Sequence, residues 1–320
     1  MGHIISLFIT INCRWESTMA AVLMTTSLFI FGEVSVGYEH LPIFRIILAI
    51  LFGFFTQVLA CVLNDITDIK IDKINHPQRP LASGKIDIRE AWLVVVICLI
   101  FALACGLTLA SSNLSYVSLI THLCCSILYS FPGIRLSRNW ITGPLTLITA
   151  FSSHVLFTLS CTSLYHSVLY GQQLVFLIVS TTAMHHILIN PMKDVGDLKG
   201  DAIGGATSLA MWIPLWATNC IVVTGYILPW ILLYIRADSF APSIDQVIGI
   251  VASLKVLAIT FCVAGLVMSY YLLFDPVPLI YYRYSTITRL LPLYLFHVGQ
   301  PIALSLVRLY NSHTGATFLK

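Results

Sequence analysis

The chain contains nine stretches that are apolar over about 20 residues, the length a helix needs to cross about 30 Å of hydrocarbon. They fall at roughly 19–37, 43–63, 91–110, 114–131, 141–162, 173–190, 210–235, 247–274 and 288–308. A bilayer core holds no water to satisfy a backbone amide, so each stretch is expected as a helix. The expected fold class is all-α, a polytopic membrane protein with nine transmembrane helices in a bundle. Composition agrees, because 58% of the 320 residues are hydrophobic and 10% charged, too few charges to coat a soluble surface. The apolar content excludes disorder, and a net charge of +3 gives no reason to expect a nucleic-acid partner.

Nine cysteines include Cys61, Cys98, Cys105, Cys124, Cys125 and Cys262 in apolar stretches, with no Cys-x-x-Cys pair, and read as reduced small hydrophobes. The His185-His186 pair lies in an apolar run without a further His or Glu at ligand spacing, so it reads as core. At the N-terminus the apolar run from Ile4 to Ile11 is short and is followed by Arg14 and Glu16, so no cleaved signal peptide is expected. Twelve of the 17 basic residues fall on one side of the nine spans, with Arg14, Lys70, Arg79 and Arg135 among them. Arg45, Arg236, Arg308 and Lys320 fall on the other, and Lys255 lies inside a span. The richer side, which includes the N-terminus, is expected to be cytoplasmic.

The acidic residues are concentrated on that side. Asp65, Asp68 and Asp72 follow the second span, and Asp194, Asp197 and Asp201 follow the sixth. Both clusters have the spacing i, i+3, i+7, and each Asp of the second lies 129 residues after its counterpart, which argues for an internal repeat four helices long. At about 100° per residue, three such positions share a helix face about 60° wide. Three carboxylates on one face repel unless a cation lies between them, and hard divalent cations take oxygen ligands. Mg2+ keeps positions for water or phosphate oxygens, so two such faces opposed across a bundle would hold a metal-bridged diphosphate. Lys73, Arg79, Arg135, Arg138, Lys193 and Lys199 are nearby donors for its oxygens. A solvated helix end explains one acidic cluster, but not two of identical spacing on one side of a chain with 14 acids.

These residues carry a resemblance. Asn64-Asp65-Ile66-Thr67-Asp68-Ile69-Lys70-Ile71-Asp72 resembles the N-D-x-x-D-x-x-x-D motif of the UbiA superfamily of intramembrane prenyltransferases. The continuation from Ile74 through His76-Pro77-Gln78-Arg79-Pro80 to Gly84 resembles the loop that follows it in chlorophyll, homogentisate and archaeal ether-lipid prenyltransferases. Lys193-Asp194-Val195-Gly196-Asp197-Leu198-Lys199-Gly200-Asp201 is similar to the second motif, K-D-x-x-D-x-x-G-D, and Tyr129-Ser130-Phe131-Pro132 with Arg135 to the Y-S-x-P segment. With nine spans the resemblance covers nearly the whole chain, so residues 1–320 are expected as a single domain.

The resemblance implies nine helices around a central cavity with both motifs at its cytoplasmic mouth. Asp65, Asp68 and Asp72 would hold one Mg2+ and Asp194, Asp197 and Asp201 another, with Asn64 orienting ligands. Arg79, Arg135, Lys193 and Lys199 would bind an isoprenyl diphosphate, and the loop from Asn75 to Lys85 would cover it. Tyr129 and Phe131 are candidate cavity aromatics, with Phe54, Phe55, Tyr270 and Tyr271 as further ones. Two departures stand out: the first span carries Glu33 but no Arg or Asn, and the Pro-Pro common in the Y-S-x-P segment is Pro132-Gly133.

Ionisation of the allylic C–O bond would leave a cation that an apolar bundle shields from water and aromatic faces stabilise by about 0.5 to 2 kcal/mol each. An aromatic or lipid acceptor then makes the protein a prenyltransferase, whereas attack by the chain's own double bond makes it a terpene cyclase. A secondary transporter, whose carboxylates lie near the midplane, is disfavoured by carboxylates at the ends of spans.

Overall fold

A computed structural model describes residues 7–34 apart from 9 and 13, 42–195 apart from 167, 198–237, and parts of 255–273. Among the described residues the chain is helical and has no strand. The helices are α1 (Trp15–Val34), α2 (Ile43–Thr67), α3 (Ile69–Asn75), α4 (Ile88–Leu109), α5 (Asn113–Ser130), α6 (Thr142–Ser160), α7 (Ser163–His166), α8 (Val168–Val195), α9 (Leu198–Gly204) and α10 (Leu215–Ala237). Five are long and apolar enough to cross a membrane: α2, α4, α6, the segment Gly171–Pro191 of α8, and α10. The first and fourth expected spans are helices of 20 and 18 residues, α1 and α5. The eighth, 247–274, is described only in fragments, and the ninth, 288–308, lies outside the described residues.

Helix α2 shows how sequence sets the depth of the first motif. Its 25 residues extend about 37 Å, beyond the about 30 Å of hydrocarbon, so its last residues, Asn64–Thr67, emerge at the polar boundary. There the Thr67 hydroxyl donates back to the carbonyls of Leu63 (3.2 Å) and Asn64 (3.0 Å), a habit that bends helices. The chain turns at Asp68 (φ −101°, ψ 13°) into α3, while the amides of Asp68 and Asp72 keep the helical bonds to Asn64 (2.9 Å) and Asp68 (2.7 Å). The expected single helical face is thus a bent one. The next helix begins at a capping box, in which Asp87 accepts from the Arg89 amide and Glu90 from the Asp87 amide.

Helix α2 packs on α1, α4 and α5, and the bundle continues through α5 on α6, α6 on α8 and α8 on α10, with α1 also against α6. One core, with Phe52, Leu59, Val94, Cys98 and Phe157, lies around α2 and α4. Another, with Leu28, Phe31, Val155, Ile178 and Trp230, joins α1, α6, α8 and α10. At the end of the bundle away from the aspartates, Arg45 donates to the carbonyls of Leu109 (3.1 Å) and Cys161 (2.6 Å). A cation thus sits at two helix C-termini, where the dipole favours it. The described cysteines are free. His185 and His186 are buried and donate through Nδ1 to the carbonyls of Gly225 (3.0 Å) and Thr182 (2.8 Å), as core histidines do.

At the aspartate end, α3 packs on α9. The Gly200 amide donates to Asn75 Oδ1 at 3.0 Å, and a Cβ on Gly200 would stand 2.4 Å from Asn75 Nδ2. A Cβ on Gly204 would stand 2.5 Å from Ile71 Cγ1. The glycine of the second motif is therefore a contact between the two motif helices. Gly200→Val is expected to push them apart at an overpacking cost of about 1–3 kcal/mol, read as a lower thermal unfolding midpoint in detergent.

Candidate active site

The carboxylates of the first motif sit in a lattice of arginines. Asp65 is 3% exposed, and its Oδ1 accepts from Arg14 Nη2 at 2.5 Å and Arg79 Nη1 at 3.5 Å. Asp72, equally buried, accepts from Arg79 Nη1 at 2.7 Å through its Oδ1. Burial pushes the Asp72 carboxyl above the usual carboxylate range, against the hydrogen bond and charge of Arg79, which draw it down. Asp68 is the most open of the three. It accepts from Arg135 Nη2 through Oδ1 and from Asn64 Nδ2 at 2.7 Å through Oδ2.

Arg135 reaches Asp68 because the chain behind it turns tightly. Gly133 has φ +91° and Arg135 itself φ +44°, a left-handed backbone that costs a non-glycine residue about 1 kcal/mol or more. The amides of Ile134 and Arg135 both donate to Phe131 O. Burial lowers the Arg135 pKa and Asp68 draws it back up. The Arg135 Nε atom is buried and has no hydrogen-bond partner among the described residues. This loop is tied to the second half of the chain, since Arg138 O accepts from the Thr207 amide at 2.7 Å.

Both motifs face one open cavity of about 820 Å³, counting its mouth. Asp68 and Asp72 line it together with Asp194 and Asp201, and Asn64, Arg14, Arg79, Arg135 and Arg138 supply donors around them. Ser208 also lines it; it is 4% exposed, and its Oγ has no partner among the described residues. A cavity with carboxylates on two sides and guanidiniums between them can take an anion and its counter-cation together.

Beneath it opens a second chamber of about 1140 Å³. Arg14, Asn64 and Tyr129 line both spaces, so the two are contiguous. The lower chamber is walled by apolar groups such as Met24, Ala60, Leu147 and Phe151, with Gln57, His122 and His154 among them.

The structure separates the expected site residues. Asp65 does not line the cavity, because its burial has drawn it into Arg14 and Arg79. Among the described residues no three His, Cys, Asp or Glu side chains form a metal-binding group; the first-motif carboxylates are taken up by guanidinium partners instead. Lys199 is exposed and lines neither space, and Phe131 is 42% exposed at the C-terminal end of α5 rather than in the chamber. Phe54 and Phe55 pack against the α2–α4 core and each other. Tyr129 does line both spaces. Asp197 and Tyr271 lie outside the described residues, and Lys193 is placed only as a residue of α8. The sequence hid Arg14, which reads there as a sidedness charge, as well as Ser208, His122 and His154, which lie on separate elements far from either motif.

A model of the UbiA prenyltransferase family matches residues 22–318. The digeranylgeranylglyceryl phosphate synthase of Methanococcus aeolicus is 30% identical over 236 residues, 71% of this chain and 79% of that protein. A 2-acylphloroglucinol 4-prenyltransferase of Humulus lupulus is 30% identical over 219 residues, 66% of this chain, which spans 51% of that relative's length. The solved structure of a UbiA homologue from Archaeoglobus fulgidus bound to GPP and Mg2+ superposes with a TM-score of 0.62 at 16% identity, covering 96% of this chain and 98% of that one.

Proposed function

Because the chain belongs to the UbiA prenyltransferase family, we propose that it is a Mg2+-dependent intramembrane enzyme that ionises an isoprenyl diphosphate and transfers the prenyl group to an aromatic or lipid acceptor. The observation that carries this is the shared cavity, in which aspartates from both motifs and four arginines stand directly above a largely apolar chamber.

The diphosphate would lie in the upper cavity. Its oxygens would accept from Arg79 and Arg135, including the Arg135 Nε–H that has no partner among the described residues, and from the Ser208 hydroxyl, with Lys193, carried over from the motif, as a further donor. Hard carboxylate oxygens on two sides of one cavity fit Mg2+, which is usually held through one or two carboxylates plus phosphate oxygens, so a three-carboxylate cage is not required. Asp68 and Asp72 would hold one ion, and Asp194 and Asp201, with Asp197, a second. Bound there, Mg2+ supplies Lewis-acid stabilisation to the departing diphosphate oxygens. Asp65 keeps Arg14 and Arg79 aimed at the cavity. The prenyl chain would extend into the lower chamber past Tyr129, which lines both spaces and would offer its ring to the cation while the apolar walls keep water out.

Transfer is favoured over cyclisation by Arg14. The first span itself carries no basic residue, but Arg14, immediately before α1, lines the chamber and would offer a polar contact to an acceptor there.

Residues 1–320 form one domain of nine helices built from a four-helix repeat in this reading. Helices α3 and α9 support the repeat, being seven residues each and displaced by 129, the offset between the aspartates. Thr25 and His154 support it too, since they are 129 apart and hydrogen-bonded, as equivalent residues beside a two-fold axis are. The positive charge around the motifs supports a cytoplasmic mouth.

Membranes holding the protein are incubated with Mg2+ and geranyl, farnesyl or geranylgeranyl diphosphate, with and without aromatic and lipid acceptors. A prenylated adduct formed only with acceptor is expected. Cyclic hydrocarbons or alcohols without acceptor would make the protein a cyclase, and absence of any diphosphate release would sink the assignment.

A further inference from the structure

Two histidines of the lower chamber form a hydrogen-bonded chain with Thr25. His122 Nδ1 lies 2.9 Å from the carbonyl oxygen of Ala150, His122 Nε2 lies 3.2 Å from His154 Nδ1, and His154 Nε2 lies 2.8 Å from Thr25 Oγ1. A carbonyl only accepts, so His122 carries its hydrogen on Nδ1 and presents a lone pair on Nε2. His154 must then donate from Nδ1. One basic lone pair remains in the pair, that of His154 Nε2, and its partner is the Thr25 hydroxyl.

That hydroxyl has a second acceptor. Thr25 Oγ1 stands 2.6 Å from the carbonyl of Ala21. When His154 is neutral, Thr25 donates to Nε2. When Nε2 holds a proton, it donates to Thr25, which turns its own hydrogen to Ala21. The chain is therefore fully bonded both before and after taking up one proton, which an ordinary buried histidine is not. The surroundings hold it in place: Phe52 stacks on the His154 ring at 5.4 Å and 16°, and Gly53 leaves the space into which Thr25 projects, where a Cβ would be 2.7 Å from Oγ1. Ala21, Met24 and His154 itself line the chamber, so the Thr25–His154 bond lies at its wall. The other ionisable groups lining the chamber are Arg14, Cys61, Cys125 and Tyr129.

We propose that His154 is the proton acceptor of the reaction, with Thr25 as its relay and His122 as a positioning residue. This rests on the prenyl-transfer reading. In transfer, the C–O bond to diphosphate breaks and its electron pair leaves with the diphosphate. The acceptor's nucleophilic atom bonds the allylic carbon and loses its hydrogen, leaving the bonding pair on the acceptor, and the proton reaches His154 Nε2 through Thr25, whose hydroxyl takes it while passing its own hydrogen to Nε2. If a carbocation loses a neighbouring hydrogen instead, the pair left behind forms a double bond and the proton has the same destination. Either route releases one proton into a chamber shielded from water, where either a group of the wall or the departing diphosphate must take it.

The test is His154→Gln, which keeps a hydrogen-bonding group beside Thr25 but cannot take a proton. Turnover is expected to fall about 100-fold with the KM for prenyl diphosphate within about twofold of the unaltered protein. Added imidazole is expected to restore part of the turnover of His154→Ala. Thr25→Val, which keeps the base and loses its relay and orientation, is expected to lower kcat about tenfold, also without a change in KM. Near-normal kcat in folded His154→Gln would overturn the proposal and leave the diphosphate leaving group as the base. Parallel losses in kcat, KM and melting temperature in both His154→Gln and Thr25→Val would overturn it in favour of a purely structural role. An unaltered protein that consumes no prenyl diphosphate would instead sink the transfer reading on which this rests.

Discussion

Asp68→Ala and Asp194→Ala are each expected to lower prenyl-transfer turnover by about 10²–10³-fold, the loss typical when one group that stabilises developing charge is removed. The two side chains come from opposite motifs and line the same cavity. Asp68 is the clearest probe of the first motif. Its partners Arg135 and Asn64 also line the cavity and can shift to an incoming oxyanion, whereas Asp65 is buried against Arg14 and Arg79. Losing a carboxylate should also raise the Mg2+ concentration for half-maximal activity, because fewer hard oxygens remain to hold the ion. The measurement is initial rate against Mg2+ and against prenyl diphosphate, with chelator added and then reversed. Asp65→Asn is expected to act differently, raising the KM for diphosphate through misplaced arginines while leaving the Mg2+ dependence unchanged. Equal Mg2+ dependence in the unaltered protein and in Asp68→Ala would remove the metal assignment to the first motif.

The bundle was legible from hydropathy because backbone in hydrocarbon has few alternatives to helix. The stretches near 43–63 and 91–110 became Ile43–Thr67 and Ile88–Leu109, differing only where polar residues continue the helix past the membrane. The aspartates were legible because their spacing is written twice. What spacing cannot state is burial. On an isolated helix Asp65, Asp68 and Asp72 are equivalent, and only the approach of Arg14 and Arg79 from elsewhere in the chain separates a buried Asp65 from an open Asp68. Arg14 lies 51 residues before Asp65 and has no motif of its own. His122 and His154 likewise sit 32 residues apart on different helices and meet only through the packing of α5 on α6. Phe131 caps the C-terminus of α5 and is exposed there, a placement the Y-S-x-P spelling does not state.

Arg79→Gln is expected to be the most destabilising single change near the site. Arg79 Nη1 is the cation on Asp72 at 2.7 Å and shares Asp65 with Arg14, and the side chains of both aspartates are at most 5% exposed. Removing one partner of a buried pair strands the other charge, at about 3–5 kcal/mol, whereas replacing both by neutral groups of similar size is often close to neutral. The single variant should therefore lose several degrees of thermal midpoint in detergent as well as activity. Arg79→Gln combined with Asp72→Asn should recover most of the midpoint while turnover stays at least about 100-fold down, because a diphosphate donor and a metal oxygen are both gone. This separates two uses of one guanidinium: holding buried carboxylates in the folded protein and binding an oxyanion in the working one. If the double variant were as unstable as Arg79→Gln alone, the lost midpoint would come from packing of the arginine stem, and the charge-pairing account of Asp72 would fail.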